Sequence, residues 1–197
     1  MDILMCAGIA TASPVICVVN GCRFVSDWTK DYGSMPMMSW SSSRAYALGV
    51  KAGSLCQNII EHAEAPGWVA AQSYNWSRRL GRHVLVIAVG DLGRGFRGSL
   101  ADEHAARFGD RWADATALEA AFIHGLTRFP DSGRGQGIQQ IRKQVRRWDG
   151  SISIRSGTAR IADVPEWDEA PPMATDLAEF PGAQINIVLP ARVADHV

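Results

Sequence analysis

The chain has 197 residues, enough for one domain with a sizeable core, and 47% of them are hydrophobic, as a folded globular protein requires. Its 20 basic and 20 acidic residues cancel, so no whole-chain field favours nucleic acid or an anionic membrane surface, and partners have to be argued from local features. Four cysteines, Cys6, Cys17, Cys22 and Cys56, lack the paired spacing of a zinc site or a disulfide framework, which points to thiols in a reducing, cytoplasmic setting.

The opening run "MDILMCAGIATASPVICVV" is apolar, yet Asp2 stands where a targeting segment carries its positive charge, and Gly8 and Pro14 interrupt it. It reads as a buried strand followed by a turn at "NGC" rather than as a leader or a membrane segment. Residues 1–43 as a whole read as an appendage or connector, ending in the Gly, Pro and Ser of "GSMPMMSWSSS". The regular domain is expected to span 44–197.

From Arg44 the pattern becomes helical. Leu48, Leu55, Ile59 and Ala63 form one stripe, and Pro66-Gly67 ends it, which predicts a helix over 44–65. Two strands follow, 68–76 and 83–90, joined by the polar "SRRLGR" and read as antiparallel neighbours. The three glycines of "DLGRGFRGSL" then predict a break, and "RWADATALEAAFIHGL" (111–126) returns to helical composition. A further helix carries Ile138, Ile141, Val145 and Trp148 inward and stops at Gly150. Strands "SISIRSG" and "AQINIVLP" close the chain across an acidic, proline-rich loop, 162–181.

Sequential strands with helices segregated among them favour an open, mixed, mostly antiparallel sheet with helices on one face, a two-layer α/β sandwich.

Three stretches could carry chemistry. "DSGRGQGIQQI" sets Gly133, Gly135 and Gly137 at alternate positions ahead of a helix. It is neither a GxxxxGK[ST] phosphate loop nor a GxGxxG dinucleotide fingerprint. Glycine lets backbone N–H groups approach an anion, and a helix N-terminus adds unpaired donors, so the loop is either a phosphate cradle or a hinge. In "VLVIAVGDLGRG" a strand runs straight into Asp91, then Gly93 and Gly95. A carboxylate at a strand end can accept a hydrogen bond from an amino group such as that of adenine; the alternative is a solvated Asp-Gly turn. On the 44–65 helix, Ser54, Asn58 and Glu61 lie beside the apolar stripe. An asparagine within a helix is unfavourable by propensity, and its amide oxygen suits a hard cation such as magnesium; otherwise it faces solvent.

In this order the three stretches resemble the GHKL superfamily of ATP-binding domains, shared by histidine kinases, type II topoisomerases and anti-sigma serine kinases. "LCQNIIEH" is similar to the asparagine box, "DLGRG" to the first glycine box, "GRGQGIQQI" to the second, and "FPGAQINIVLP" to the closing glycine-plus-strand element, so that the resemblance covers about residues 44–190. It implies a Bergerat-type sandwich that binds ATP with Mg2+. By that resemblance Asn58 would be the metal ligand, Asp91 the adenine reader, and Gly93 and Gly95 the turn beneath the base. Gly133, Gly135 and Gly137 would shape a lid whose N–H groups meet the phosphates. Thr127, Arg128, Ser132 and Arg134 lie in that lid region, where an arginine could pair with the terminal phosphate.

Two departures matter. Hydrolysing branches of the superfamily carry a glutamate one turn before the box asparagine, and here that position is Ser54, whose hydroxyl is no general base near neutral pH. Members often carry threonine after the closing glycine, and here Ala183 stands there. None of His62, His83, His104, His124 and His196 lies in the His-Glu-x-x-x-Pro context of a phosphoaccepting helix, so any phosphate acceptor would be on another chain. The basic helix face of Arg142, Lys143, Arg146 and Arg147 reads as solvated rather than as a nucleic-acid surface.

The expectation is a cytoplasmic Mg-ATP-binding signalling module that regulates or phosphorylates a protein partner, such as a STAS-like or response protein. It is expected to bind no nucleic acid and no membrane, and homodimerisation is open. Its alternatives are an ATP-hydrolysing, dimerising clamp and a non-catalytic scaffold with a degenerate site.

Overall fold

The structure, a computed structural model, describes residues 15–19, 63–65, 67–128 and 136–191. In chain order these are strand β1 (Val15–Val19), β2 (Gly67–Trp76), the single turn α1 (Ser77–Leu80), β3 (Arg82–Asp91), α2 (Gly95–Phe108), a 3-10 turn (Gly109–Arg111), α3 (Asp114–Phe122), α4 (Gln136–Arg147), β4 (Ser151–Gly157), β5 (Ala159–Asp163), β6 (Met173–Ala174) and β7 (Phe180–Pro190). The fold is α/β, built on one open sheet of order β1-β2-β3-β7-β4-β5-β6. Every strand pairing among the described residues is antiparallel, so the parallel component expected of a mixed sheet is not found there.

The β2–β3 hairpin follows its sequence closely. β-branched and small residues alternate through "WVAAQ" and "HVLVIAVG", the linker folds as α1, and Gly81 closes that turn at φ +68. Register pairs Gly67 with Asp91 and Trp76 with Arg82, which brings the start of β2 beside the carboxylate at the end of β3. The apolar N-terminal run provides β1, whose Val15–Val19 pairs with β2 from Ala71 to Gly67. A segment read as part of an appendage thus contributes an outer strand of the sheet.

Three elements differ from the sequence reading. Where the three glycines of "DLGRGFRGSL" predict a break, α2 begins at Gly95 and continues through Gly98 to Phe108. The Leu, Ala, Glu and Arg of "LADEHAARF" are good helix formers, and Ser99 and Leu100 bury against the rest of the domain. The helix predicted over 111–126 is shorter, α3, which ends at Phe122 and is closed by a turn in which Leu126 N–H donates to Ala120 O and Gly125 N–H, at φ +66, to Ala121 O. The expected loop over 162–181 also begins later than predicted, because "ARIAD" turns back at Thr158 and pairs with β4.

The core joins sheet and helices. Val69, Ile87, Val89, Ile152, Ile154, Ile161, Ile185, Ile187 and Leu189 of the strands cluster with Leu118 and Phe122 of α3 and Ile141 and Val145 of α4. Each such side chain contributes about 1.5–3 kcal/mol by leaving water. β7, last in the chain, lies between β3 and β4 and carries Ile185, Ile187 and Leu189 into the middle of this core.

The stripe expected on α4 is present, with Ile141 and Val145 buried and Ile138 and Trp148 packed against the core. Its basic face is not uniformly solvated. Arg142 is 6% exposed, stacks on the Phe122 ring at 3.9 Å, and donates from Nε and Nη2 to the two oxygens of Asp163, each at 2.8 Å. Position 142 adjoins the 141/145 stripe, so its side chain is carried inward, and Asp163 at the end of β5 neutralises it. Arg146 reaches the same carboxylate at 2.6 Å from the outside. Burial raises the Asp163 pKa, but the hydrogen bonds from Arg142 and Arg146 outweigh it and hold the group below its ordinary value. Among the described residues no helix is long and apolar enough to cross a membrane.

Candidate functional site

Asp91 closes β3 and is only 5% exposed. Its carboxyl is received by two backbone amides, one local and one from a distant strand. Gly93 N–H donates to Oδ1 at 2.9 Å from the turn just beyond the strand, and Ala183 N–H donates to the same oxygen at 3.3 Å from β7. Neither amide addresses Oδ2. Burial raises the pKa of this carboxyl, and the Gly93 and Ala183 hydrogen bonds offset that only in part.

Gly182 encloses the carboxyl from the other side. It sits at φ +82, and a Cβ there would lie 2.2 Å from the Asp91 carbonyl oxygen and 2.6 Å from Oδ1. Both the backbone conformation and the space therefore require glycine. Gly93 is constrained by space alone, since a Cβ would come within 2.0 Å of the Ala63 carbonyl oxygen. That same carbonyl accepts the Arg94 N–H at 3.1 Å, so residues 63 and 64 lie directly on the turn after Asp91.

Glu64, at φ +55, continues this contact through its side chain. Arg94 Nη1 donates to its Oε1 at 3.0 Å and Arg128 Nη1 to the same oxygen at 3.1 Å. The hydrogen bonds of Arg128 and Arg94 lower the Glu64 pKa. One exposed carboxylate thus ties the turn after β3 to the residue at the threshold of the second glycine stretch. Thr127, next to it, accepts a hydrogen bond at its carbonyl from His104 Nε2 of α2, at 2.8 Å.

Of the residues singled out by sequence, Asp91, Gly93 and Gly95 are brought together at the end of β3, with Gly95 opening α2 at φ +64. Thr127 lies on the segment joined to that turn through Arg128 and Glu64, and Gly137 lies in the first turn of α4. Asn58 and Ser54, with nearly all of the predicted 44–65 helix, and Gly133, Arg134 and Gly135 lie outside the described residues. Among the described residues no group of three His, Cys, Asp or Glu side chains could hold a metal ion.

Sequence reading did not single out Glu64 or Ser156, and noted Gly182 only as part of a closing element. The Pro-Gly string at 181–182 was the one available signal. Chemically, a buried carboxylate with one oxygen fixed by backbone amides is a preorganised acceptor for a donor brought to its other oxygen. No protein-family model matches this chain, and neither a curated protein nor a solved structure matches it.

Proposed function

We propose that the chain is a Mg-ATP-binding regulatory module of the histidine-kinase-like GHKL class, folded as a two-layer Bergerat-type sandwich with its helices on one face of the sheet. The observation that carries this reading is the Asp91 carboxyl, buried at a strand end, fixed on Oδ1 by Gly93 and Ala183 and enclosed by Gly182. In this reading Oδ2 accepts the amino group of adenine. Asn58 supplies an amide oxygen to magnesium, and the glycines at 133, 135 and 137 and an arginine, Arg128 or Arg134, face the phosphates. The common core of strand and helix side chains supports the sandwich.

Ala183 serves this reading through its backbone. Where a threonine hydroxyl is expected to help hold the aspartate, the amide of Ala183 reaches Oδ1. Without a general base at Ser54, the chemistry available is positioning and charge neutralisation of the terminal phosphate, as in phosphoryl transfer to a separate chain. The partner would be a regulatory protein, and dimerisation is a further property to measure.

Calorimetric titration with Mg-ATP tests the reading, using wild type, Asp91→Asn and Asn58→Ala. Binding by the wild type that weakens at least about tenfold in Asp91→Asn is expected, the worth of one hydrogen bond to a charged group. Equal binding by all three proteins refutes the site, and no binding by the wild type at millimolar nucleotide leaves the degenerate scaffold as the better account.

A further inference from the structure

Ser156 is 3% exposed and lies on β4 directly across from Ala183 of β7. Its hydroxyl is committed twice. Oγ donates to the Gly182 carbonyl at 2.7 Å and accepts the Phe96 N–H of the first turn of α2 at 3.0 Å. The first bond fixes the residue that encloses Asp91, and the second fixes the helix that leaves the Asp91 turn. A single side chain on a third strand therefore links both backbone segments that shape the carboxyl, although it does not touch the carboxyl itself.

We propose that Ser156 is a positioning residue for Asp91 that sets base selectivity, holding the carboxyl so that the site takes a nucleotide whose base bears an amino group and rejects one with a carbonyl there. This rests on the reading of Asp91 as the base acceptor. Oδ1 is held at 2.9 Å and 3.3 Å by amides of the two segments that Ser156 joins. Loss of the hydroxyl leaves the Gly182 carbonyl and the Phe96 amide without their common partner, and the enclosure of Asp91 loosens. A hydrogen-bonding site discriminates against an analogue lacking the donor only while its own acceptor is fixed.

The test compares Mg-ATP with Mg-inosine triphosphate, which carries oxygen in place of the amino group, on wild type, Ser156→Ala, Asp91→Asn and the Ser156→Ala/Asp91→Asn double variant. The wild type is expected to prefer ATP. Ser156→Ala should weaken ATP binding about tenfold, while inosine triphosphate changes by less than about twofold, consistent with the loss of a single buried hydrogen-bonding group. In the double variant the preference should fall no further than in Asp91→Asn alone, because the serine acts through the aspartate. If Ser156→Ala fails to fold, Ser156→Cys, which keeps bulk but donates weakly, is read in the same way. Equal losses for both nucleotides, or an unchanged preference, overturn the proposal alone. A wild type that binds neither nucleotide overturns the reading of Asp91 and this proposal with it.

Discussion

The backbone of Gly182 lies against Asp91 so closely that a single added carbon would overlap both the carbonyl oxygen, at 2.2 Å, and Oδ1, at 2.6 Å. These residues are 91 positions apart in the chain and meet because β7 inserts beside β3, with Gln184 paired to Gly90. Gly182→Ala should therefore lower stability by more than the left-handed conformation alone, about 1–2 kcal/mol, would explain. No rotamer of alanine relieves a clash with backbone. Denaturant titration should show the loss, and nucleotide binding, if Asp91 reads the base, should fall with it.

The buried Arg142–Asp163 pair predicts a different kind of loss. Asp163→Ala leaves a guanidinium that is 6% exposed without its carboxylate, and removal of one partner from such a pair costs about 3–5 kcal/mol. The double change Arg142→Met/Asp163→Leu should cost much less, since it removes the uncompensated charge together with its partner. Urea denaturation of Asp163→Ala and the double variant measures the difference, and a double variant as unstable as Asp163→Ala would contradict this account.

Two carboxyls should impose opposite pH dependences. Asp163 has a lowered pKa in the folded chain, so its stabilising effect is complete above the ordinary carboxylate range and is lost as pH falls through the lowered value. Asp91 has a raised pKa, so its contribution favours folding below the ordinary value and is lost as pH rises through the raised one. Asp163→Asn should flatten the acid side of the stability profile. Asp91→Asn should leave the protein at least as stable as wild type at pH 7, a pattern measurable by thermal melts across pH, and, if Asp91 reads the base, should impair nucleotide binding in titration.

Glu64 provides the control for these electrostatic claims. It is exposed, with a side-chain accessibility of 56%, although it accepts from both Arg94 and Arg128. Exposed ion pairs are screened by solvent and salt, so Glu64→Gln should leave the thermal midpoint nearly unchanged. A drop comparable to that of Asp163→Ala would show that the bridge carries structural weight.

Periodicity by itself determined the β2–β3 hairpin, the inner stripe of α4, the strands at 151–157 and 183–190, and the placement of Asp91 at a strand end. Each is a local pattern of alternation or helical spacing that burial then reinforces, as with Ile141 and Val145. Composition misjudged α2, because three glycines counted as breakers while the packing of Leu100 and the good helix formers after it sustained the helix. It also left Arg142 on a solvated face, since charge predicts exposure unless a partner such as Asp163 is supplied from another element. What only the tertiary structure decided is the insertion of β7 between β3 and β4. That crossing delivers Ala183 N–H to Asp91, wraps Gly182 around it and sets Ser156 opposite. Strand order depends on pairing between segments far apart in the chain, and no local pattern of residues encodes which distant edge a strand will join.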